Sequence, residues 1–500
     1  MARTMDSLQK LVETISKGLQ DVPKEGLKPL MEALFGERYR KTHFESTMLR
    51  DAYALASTEE EGGVPYAGFI NPDNPPSGPY GGTSLVWFPT ADYGTLIGFG
   101  AGTRGLSPDE GILMRPGHRR RIAALRRYLA QLGFEAWTKS DPSALSIIVP
   151  KATQERFPGF ERVFARYGHE MYCNAAVPKS DPEKARIVVQ AFLDLYAYER
   201  NWQVLKSYEE EYKSFLSFLR SDLFTSPTPD TVNDLLKQRR FIILQGPPGT
   251  GKTRLAQEVL KSNFKNNGMV VQFHPAITYE DFVVGLSPNE KAGSLQFQVR
   301  KGWLIEAILQ AKSKPFLLVV DEVNRADLGK VLGEAIYLFE AGEVGGKDTR
   351  HVQLPHPVDG EIELRIPENL YFLATMNTAD RSIAHIDLAV RRRFAFINVP
   401  PSREVVQKNA PEVSLEFFDR LYDVFIEHAT DDALDLLPGH AYFLAQNEQE
   451  LKARFKYELI PLLDEYLRLG LLGPASNELH AVRDAIEDWN REGRDSKKTS

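Results

Sequence analysis

The sequence holds a single cysteine, Cys173, in 500 residues. No intramolecular disulfide can form and a four-cysteine zinc site is excluded, so a cytoplasmic setting is expected. Long apolar runs are missing too. Runs such as Phe316–Val320 fall far short of the ~20 residues that cross a bilayer, so no membrane partner is expected. The first residues, MARTMDSLQKLVETISKG, lack the roughly 7–15-residue apolar stretch of a signal peptide. An excess of positive charge is also absent: 61 Lys and Arg face 68 Asp and Glu, for a net charge of −7. A chain that coats nucleic acid over most of its surface is usually basic, so any such contact must come from a local patch. No fixed-period repeat is visible, which excludes a solenoid.

What remains is the composition of a folded protein, 42% hydrophobic and 26% charged, and wholesale disorder is ruled out. At roughly 100–200 residues per domain, two to four domains are expected. Residues 1–35 carry apolar side chains at helical spacing (Leu8, Leu11, Val12, Ile15, Leu19). Residues 58–82 are dense in Gly, Pro and Asn and read as a loop. Thr83–Phe88 and Gly94–Phe99 read as strands, HRRRIAALRRYLAQLGF as a basic helix and Ser143–Val149 as another strand. Residues 182–222 read as one long charged helical stretch, and the TSPTPDT segment, Thr225–Thr231, as a linker. Residues 1–225 are therefore expected to form an α+β N-terminal domain.

Beyond 231 the pattern becomes alternating. Phe241–Leu244, Met269–Phe273, Phe316–Val320 and Tyr371–Thr375 are short apolar runs separated by helical segments. Such a pattern implies an α/β fold with a parallel sheet covered on both faces, here over 231–404. Residues 405–492 read as helical only, and 493–500 as a polar tail.

The chemistry concentrates in this second part. Gly246, Pro247, Pro248, Gly249, Thr250, Gly251, Lys252 and Thr253 fit G-x-x-x-x-G-K-[ST]. By average residue usage the pattern arises by chance in about 2% of chains this long. A buried strand (FIILQ) enters the loop and a helix (TRLAQEVLKSN) leaves it. That order lets glycines turn backbone N–H groups onto phosphate oxygens at a helix N-terminus. Lys252 is expected to reach the β- and γ-phosphates, and Thr253 to ligate Mg²⁺.

Asp321 and Glu322 close the apolar run that starts at Phe316. An acid pair can simply complement a helix dipole. At the end of a core strand some 70 residues after a phosphate loop, Asp321 is expected to hold the metal shell and Glu322 to orient or deprotonate the attacking water. Asn377 ends the next apolar strand and is placed to act on the γ-phosphate or the water. Asp380 and Arg381 follow it, and then Arg391, Arg392 and Arg393. A run of arginines can be a solvated face; after a nucleotide-site strand it also suits delivery to a neighbour's γ-phosphate.

In this order, GPPGTGKT, VVDEVNRADLGKVLGEAIYLFE, ATMNTADRS and IDLAVRRRF resemble the AAA+ module of McrB-type proteins, the motor subunits of modification-dependent restriction systems. The match spans about 235–445 and includes QFHPAITYEDFVVGLSP. The resemblance implies an αβα nucleotide domain with a helical lid, assembled as a homo-oligomeric ring, expected to be a hexamer. It implies catalytic roles for Glu322, for the signature Asn377-Thr-Ala-Asp380-Arg381 and for an arginine finger among Arg391–Arg393. It sets His440, in Gly439-His-Ala-Tyr-Phe443, in the lid facing the nucleotide, where a plainly packed histidine is the alternative. It also implies Mg²⁺, GTP or ATP as substrate with GTP favoured, and a separate McrC-like nuclease subunit. The guanine-reading N-K-x-D motif is absent; Asn324-Arg-Ala-Asp327 is a near miss, read here on the helix after Glu322. No nuclease constellation of its own stands out beyond this segment. A MoxR-like ATPase that remodels a protein is the alternative reading of the same motor.

Target choice falls by position to residues 1–225, which in the resembled family recognise modified DNA. Trp87, Phe88, Tyr93 and Phe99, with His118–Arg121, Arg126 and Arg127, permit two readings: aromatics and cations that stack a base and hold phosphates, or core aromatics beside a solvated basic face. Gly98-Phe-Gly100-Ala-Gly102 reads as a tight turn.

Overall fold

A computed structural model describes residues 6–20, 22–53, 63–76, 80–103, 110–221, 225–289, 296–345, 349–379 and 388–495. The chain divides into two compact units, one of Met1–Leu223 with Ile426–His428 and one of Phe224–Phe425 with Ala429–Ser500.

The first unit is built on an antiparallel sheet of β1 (Met48–Asp51), β2 (Ala67–Ile70), β3 (Thr83–Pro89), β4 (Thr95–Ala101), β5 (Ala136–Thr138) and β6 (Met171–Val177). The strand order is β1-β2-β3-β4-β6-β5. One face packs on the helices Ser7–Ser16, Lys28–Glu37, Pro116–Gln131 and Pro182–Glu199. The other carries a smaller cluster around Phe88, Phe157, Phe160 and Phe164.

Four expectations change here. The 58–82 stretch contains a strand: the Ala67–Ile70 segment is fully buried, with Phe69 opposite Leu85, and its turn-forming flanks hid it. Ser143–Val149 is not a strand. Asp141 takes the N–H and hydroxyl of Ser143 and starts a run of turns that leaves Ile147 and Ile148 exposed. Residues 182–222 break at Asn201, which adopts φ +56°, into Pro182–Glu199 and Glu209–Ser221. Gly98–Gly102 is no turn, because β4 runs on to Ala101; a side chain at Gly98 would lie 2.5 Å from the Cys173 carbonyl oxygen on β6.

The second unit has a five-stranded parallel sheet. Its strands are β7 (Phe241–Gly246), β8 (Gly268–Gln272), β11 (Phe316–Asp321), β14 (Leu370–Asn377) and β15 (Ala395–Asn398), in the order β15-β7-β14-β11-β8. Two antiparallel hairpins interrupt the alternation: β9 (Val284–Asn289) with β10 (Gln296–Lys301), and β12 (Val352–Val358) with β13 (Glu361–Leu364). Ile242, Leu244, Leu317, Val319 and Leu373 face the helices Pro229–Arg239 and Lys252–Ser262. Ile243, Leu318, Val320, Phe372 and Ala374 face the helix Trp303–Gln310 and the short helix Leu328–Leu332 on the other side. Burial on both faces explains why these strands read as continuous apolar runs. Among the described residues from Arg403 to Asp495, every regular element is helical. Among the described residues no helix is long and apolar enough to cross a membrane.

Candidate nucleotide site

The strand order puts β14 between β7 and β11, so three strand ends converge. Gly246 ends β7 opposite Asn377 on β14, and Asp321 ends β11 beside them. Open parallel sheets bind ligands at this carboxyl edge.

The loop from Gly246 to Thr253 joins β7 to the helix Lys252–Ser262. Gly249 and Gly251 sit at φ +76° and +81°, a left-handed backbone that side chains disfavour. Gly251 is the residue before the helix, so the helix dipole opens into the loop. Thr250 closes the loop by donating its hydroxyl to the Pro247 carbonyl at 3.0 Å. Lys252 is buried and donates to the carbonyls of Gly246 (2.9 Å) and Pro247 (2.6 Å). Burial lowers the Lys252 ammonium to about 8, against the opposing pull of Glu322 and Asp321.

Thr253 donates its hydroxyl to Asp321 Oδ1 at 2.7 Å, and Thr375 donates to the same oxygen at 2.5 Å. Thr375 in turn accepts the backbone N–H of Glu322 at 3.1 Å. Glu322 stands in the left-handed region, φ 55° and ψ 46°, turning the chain sharply off the strand. Its Oε2 is buried without a hydrogen bond and lies 3.5 Å from Arg325 Nε. Asn377 takes the Ala379 N–H on its side-chain oxygen at 3.2 Å, while its backbone carbonyl accepts the Asn324 amide at 3.0 Å. Asn324 lies on a single 3₁₀ turn, Val323–Arg325, and not on an α-helix. Asn324 Oδ1 and Thr378 Oγ1 are also buried without partners.

Three buried oxygens without a hydrogen bond, two of them also without an ion pair, lie beside a loop of left-handed glycines and are what a bound group would satisfy. The donor set suits a nucleotide with Mg²⁺: a hydroxyl, Thr253, already paired with a carboxylate, Asp321. Among the described residues no three His, Cys, Asp or Glu side chains gather as a metal cage. A phosphate-borne Mg²⁺ needs none.

The helical segment after Arg403 meets the loop directly. Gly439 and Ala441 donate backbone N–H groups to the Pro248 and Gly249 carbonyls at 3.1 and 3.0 Å. His440 accepts the Ser402 N–H on Nδ1 at 3.1 Å, so its neutral ring carries the proton on Nε2. That nitrogen faces Gly251, 3.6 Å from where a Cβ there would lie. Burial, and next the Arg254 charge, lower the His440 imidazole to about 4.

Among the described residues, the contacts of Arg391 and Arg393 are made outside this cluster. Arg391 lies over the Phe396 ring at 4.9 Å, Arg393 donates to the Ala389 carbonyl at 2.6 Å, and Arg392 is exposed. Asp380 and Arg381 lie outside the described residues. Thr375, Asn324, Thr378 and Ser402 were not expected at the site. A threonine two residues before Asn377, on the same face of an otherwise apolar strand, is the signal that could have found Thr375.

In the first unit, Trp87, Phe88 and Phe99 are buried, and only Tyr93 is largely exposed. Trp87 donates its indole N–H to the Tyr53 hydroxyl at 3.0 Å. His118 and Arg121 are buried on Glu199 at 3.1 and 2.6 Å. Burial would raise the Glu199 carboxyl, but Arg121 and His118 hold it well below the usual range. These residues build a core; Tyr93 and Arg126 are exposed, and Arg119 and Arg127 are half-buried.

A loop on β7, an acid pair on β11, a polar strand end on β14 and this strand order define a P-loop nucleoside triphosphatase of the AAA+ class. The family described as AAA domain (dynein-related subfamily) matches residues 241–394. The chain is 31% identical over 351 residues to the type IV methyl-directed restriction enzyme EcoKMcrB subunit of Escherichia coli K12, covering 64% of this chain and 75% of that protein. It is 26% identical over 190 residues to the type II restriction enzyme BsuMI component YdiS of Bacillus subtilis 168, covering 31% of this chain and 55% of that one. The chain belongs to the McrB family of AAA+ restriction subunits.

Proposed function

We propose that this chain is the Mg²⁺-dependent, GTP-favouring motor of a two-component restriction system. Residues 231–404 bind the nucleotide, 405–492 act as its lid, and 1–225 select the target, a modified DNA. A separate McrC-like nuclease subunit cuts. The hydrolytic half rests on one observation, the Thr253–Asp321 hydrogen bond at the mouth of the phosphate loop. The restriction half rests on family membership.

In this reading the loop N–H groups and Lys252 bind the phosphates. Thr253 and Asp321 would hold Mg²⁺, which neutralises phosphate charge when bound. Glu322 takes the proton of the attacking water, and Asn377 orients that water. His440 donates from Nε2 toward the loop and reports nucleotide to the lid. An arginine among Arg391–Arg393 reaches the nucleotide of the next copy in a ring, expected to be a hexamer. Asp380 and Arg381 complete the signature run that follows Asn377.

The test is hydrolysis of GTP and of ATP by the full chain, alone and with the product of the neighbouring gene and methylated DNA. GTP turnover stimulated by a McrC-like partner, with cleavage of methylated DNA only, is the expected result. Turnover of ATP alone, indifferent to both additions, would overturn the restriction reading in favour of a protein-remodelling ATPase.

A further inference from the structure

Thr375 is 1% exposed and sits at the carboxyl end of β14. Its hydroxyl has one hydrogen. A carboxylate can only accept and an amide N–H can only donate, so both bonds have fixed direction: Thr375 donates to Asp321 Oδ1 at 2.5 Å and accepts from Glu322 N at 3.1 Å. One side chain thus touches both acidic residues of the site.

The need for it follows from the backbone. β11 ends at Asp321, and its sheet pairing with β14 ends at Val320 and Ala374. The N–H of Glu322 therefore finds no ladder carbonyl and must be satisfied otherwise. Glu322 is also one of few non-glycine residues held at positive φ, a conformation that persists only where its surroundings enforce it. The Thr375 hydroxyl supplies the acceptor and the restraint together. Asp321 Oδ1 is held from two sides, by Thr253 from the helix and by Thr375 from β14. With period two along a strand, Thr375 and Asn377 share one face, so β14 presents both at the same edge.

We infer that Thr375 is a positioning residue for hydrolysis: it fixes the Asp321 carboxylate for the metal and the Glu322 turn for the water-activating carboxylate. It acts through those residues and touches no substrate itself. The inference rests on the hydrolytic reading of the site.

The experiment compares the full chain with Thr375→Val, which keeps the shape and loses the hydroxyl, and Thr375→Ser, which restores it. Groups that orient metal ligands typically matter by about 10–100-fold. Thr375→Val is expected to lower kcat by about that factor and to raise the Mg²⁺ concentration for half-maximal turnover about tenfold. Binding of a fluorescent nucleotide in EDTA should stay within about twofold, and Thr375→Ser should recover most of the activity. A fall in EDTA-phase binding parallel to kcat, or wild-type Mg²⁺ dependence in Thr375→Val, would overturn the inference. If Thr375→Val does not fold, Thr375→Ala against Thr375→Ser gives the same comparison. Lys252→Ala separates the two levels. If it still turns over nucleotide, the site reading fails; if it is inactive while Thr375→Val is normal, only the positioning role fails.

Discussion

Lys252 Nζ lies 2.6 Å from the carbonyl oxygen of Pro247, five residues back along its own phosphate loop. The loop's carbonyls hold the cation in place before any phosphate does. Burial, against the opposing charges of Glu322 and Asp321, brings its pKa to about 8, and a triphosphate beside it would restore the charge. Nucleotide binding should therefore take up protons near pH 9 and far fewer from this group at pH 7. Titration calorimetry in buffers of different ionisation enthalpy reads this directly, and equal uptake at both pH values would contradict it. The stability effect has its own sign. The folded value lies below the unfolded 10.5, so the cost of the buried ammonium is present below about 8 and is relieved as pH rises from there toward 10.5.

Glu322 carries a buried oxygen without a hydrogen bond. Glu322→Gln should keep Mg²⁺-nucleotide binding and lower turnover by about 10²–10⁴-fold, the usual range for a lost general base. Single-turnover hydrolysis beside equilibrium nucleotide binding separates the two. Turnover within tenfold of wild type would remove Glu322 from the chemistry.

His440 is held neutral with Nδ1 occupied by Ser402. Its folded value of about 4 lies below the unfolded 6.5. The stability it contributes is fully present above pH 6.5 and is lost as pH falls toward 4. His440→Asn should flatten the fall in urea midpoint across that window relative to wild type. Parallel curves would mean that the ring titrates freely.

Among the three arginines, Arg391 and Arg392 are both exposed, but Arg391 lies over Phe396, and Arg393 bonds its own helix. Arg392→Ala should therefore lose the assembled activity most steeply, by about 10³–10⁵-fold. Mixing Arg392→Ala with Lys252→Ala chains should restore part of the turnover, because each supplies what the other lacks across an interface. No recovery on mixing would contradict delivery between copies.

In the first unit, Arg38 and Asp194 form a buried pair at 2.6 Å, joined by the Tyr39 hydroxyl at 2.9 Å. Asp194→Ala leaves the buried Arg38 with only the half-exposed Glu211 carboxylate at 3.2 Å and should destabilise the unit by about 3–5 kcal/mol. Chemical denaturation measures it, and a change below about 1 kcal/mol would show that Glu211 alone suffices for Arg38.

The readable parts of this chain were those where one residue type has one physical use. The glycines before Lys252 and the acids after an apolar run announce themselves, since few other arrangements tolerate them. The bridging role of Thr375 was not readable, because a threonine in a strand is ordinary and its value comes from the register of β14 on β11. Ala67–Ile70 was hidden by its neighbours, four apolar residues between turn formers. The buried pairing of His118 and Arg121 with Glu199 joins segments some 80 residues apart. No local pattern encodes a contact at that distance, so the burial of His118 and Arg121 beside an exposed Arg126 on the same helix could not be read.

The most direct test of the account is steady-state hydrolysis of GTP and ATP by purified full-length chain with Mg²⁺, beside Lys252→Ala. The account predicts magnesium-dependent turnover, faster with GTP, that falls to background in Lys252→Ala. Near-normal turnover by Lys252→Ala would contradict the assignment of the site itself, and turnover of ATP alone would remove the preference for GTP.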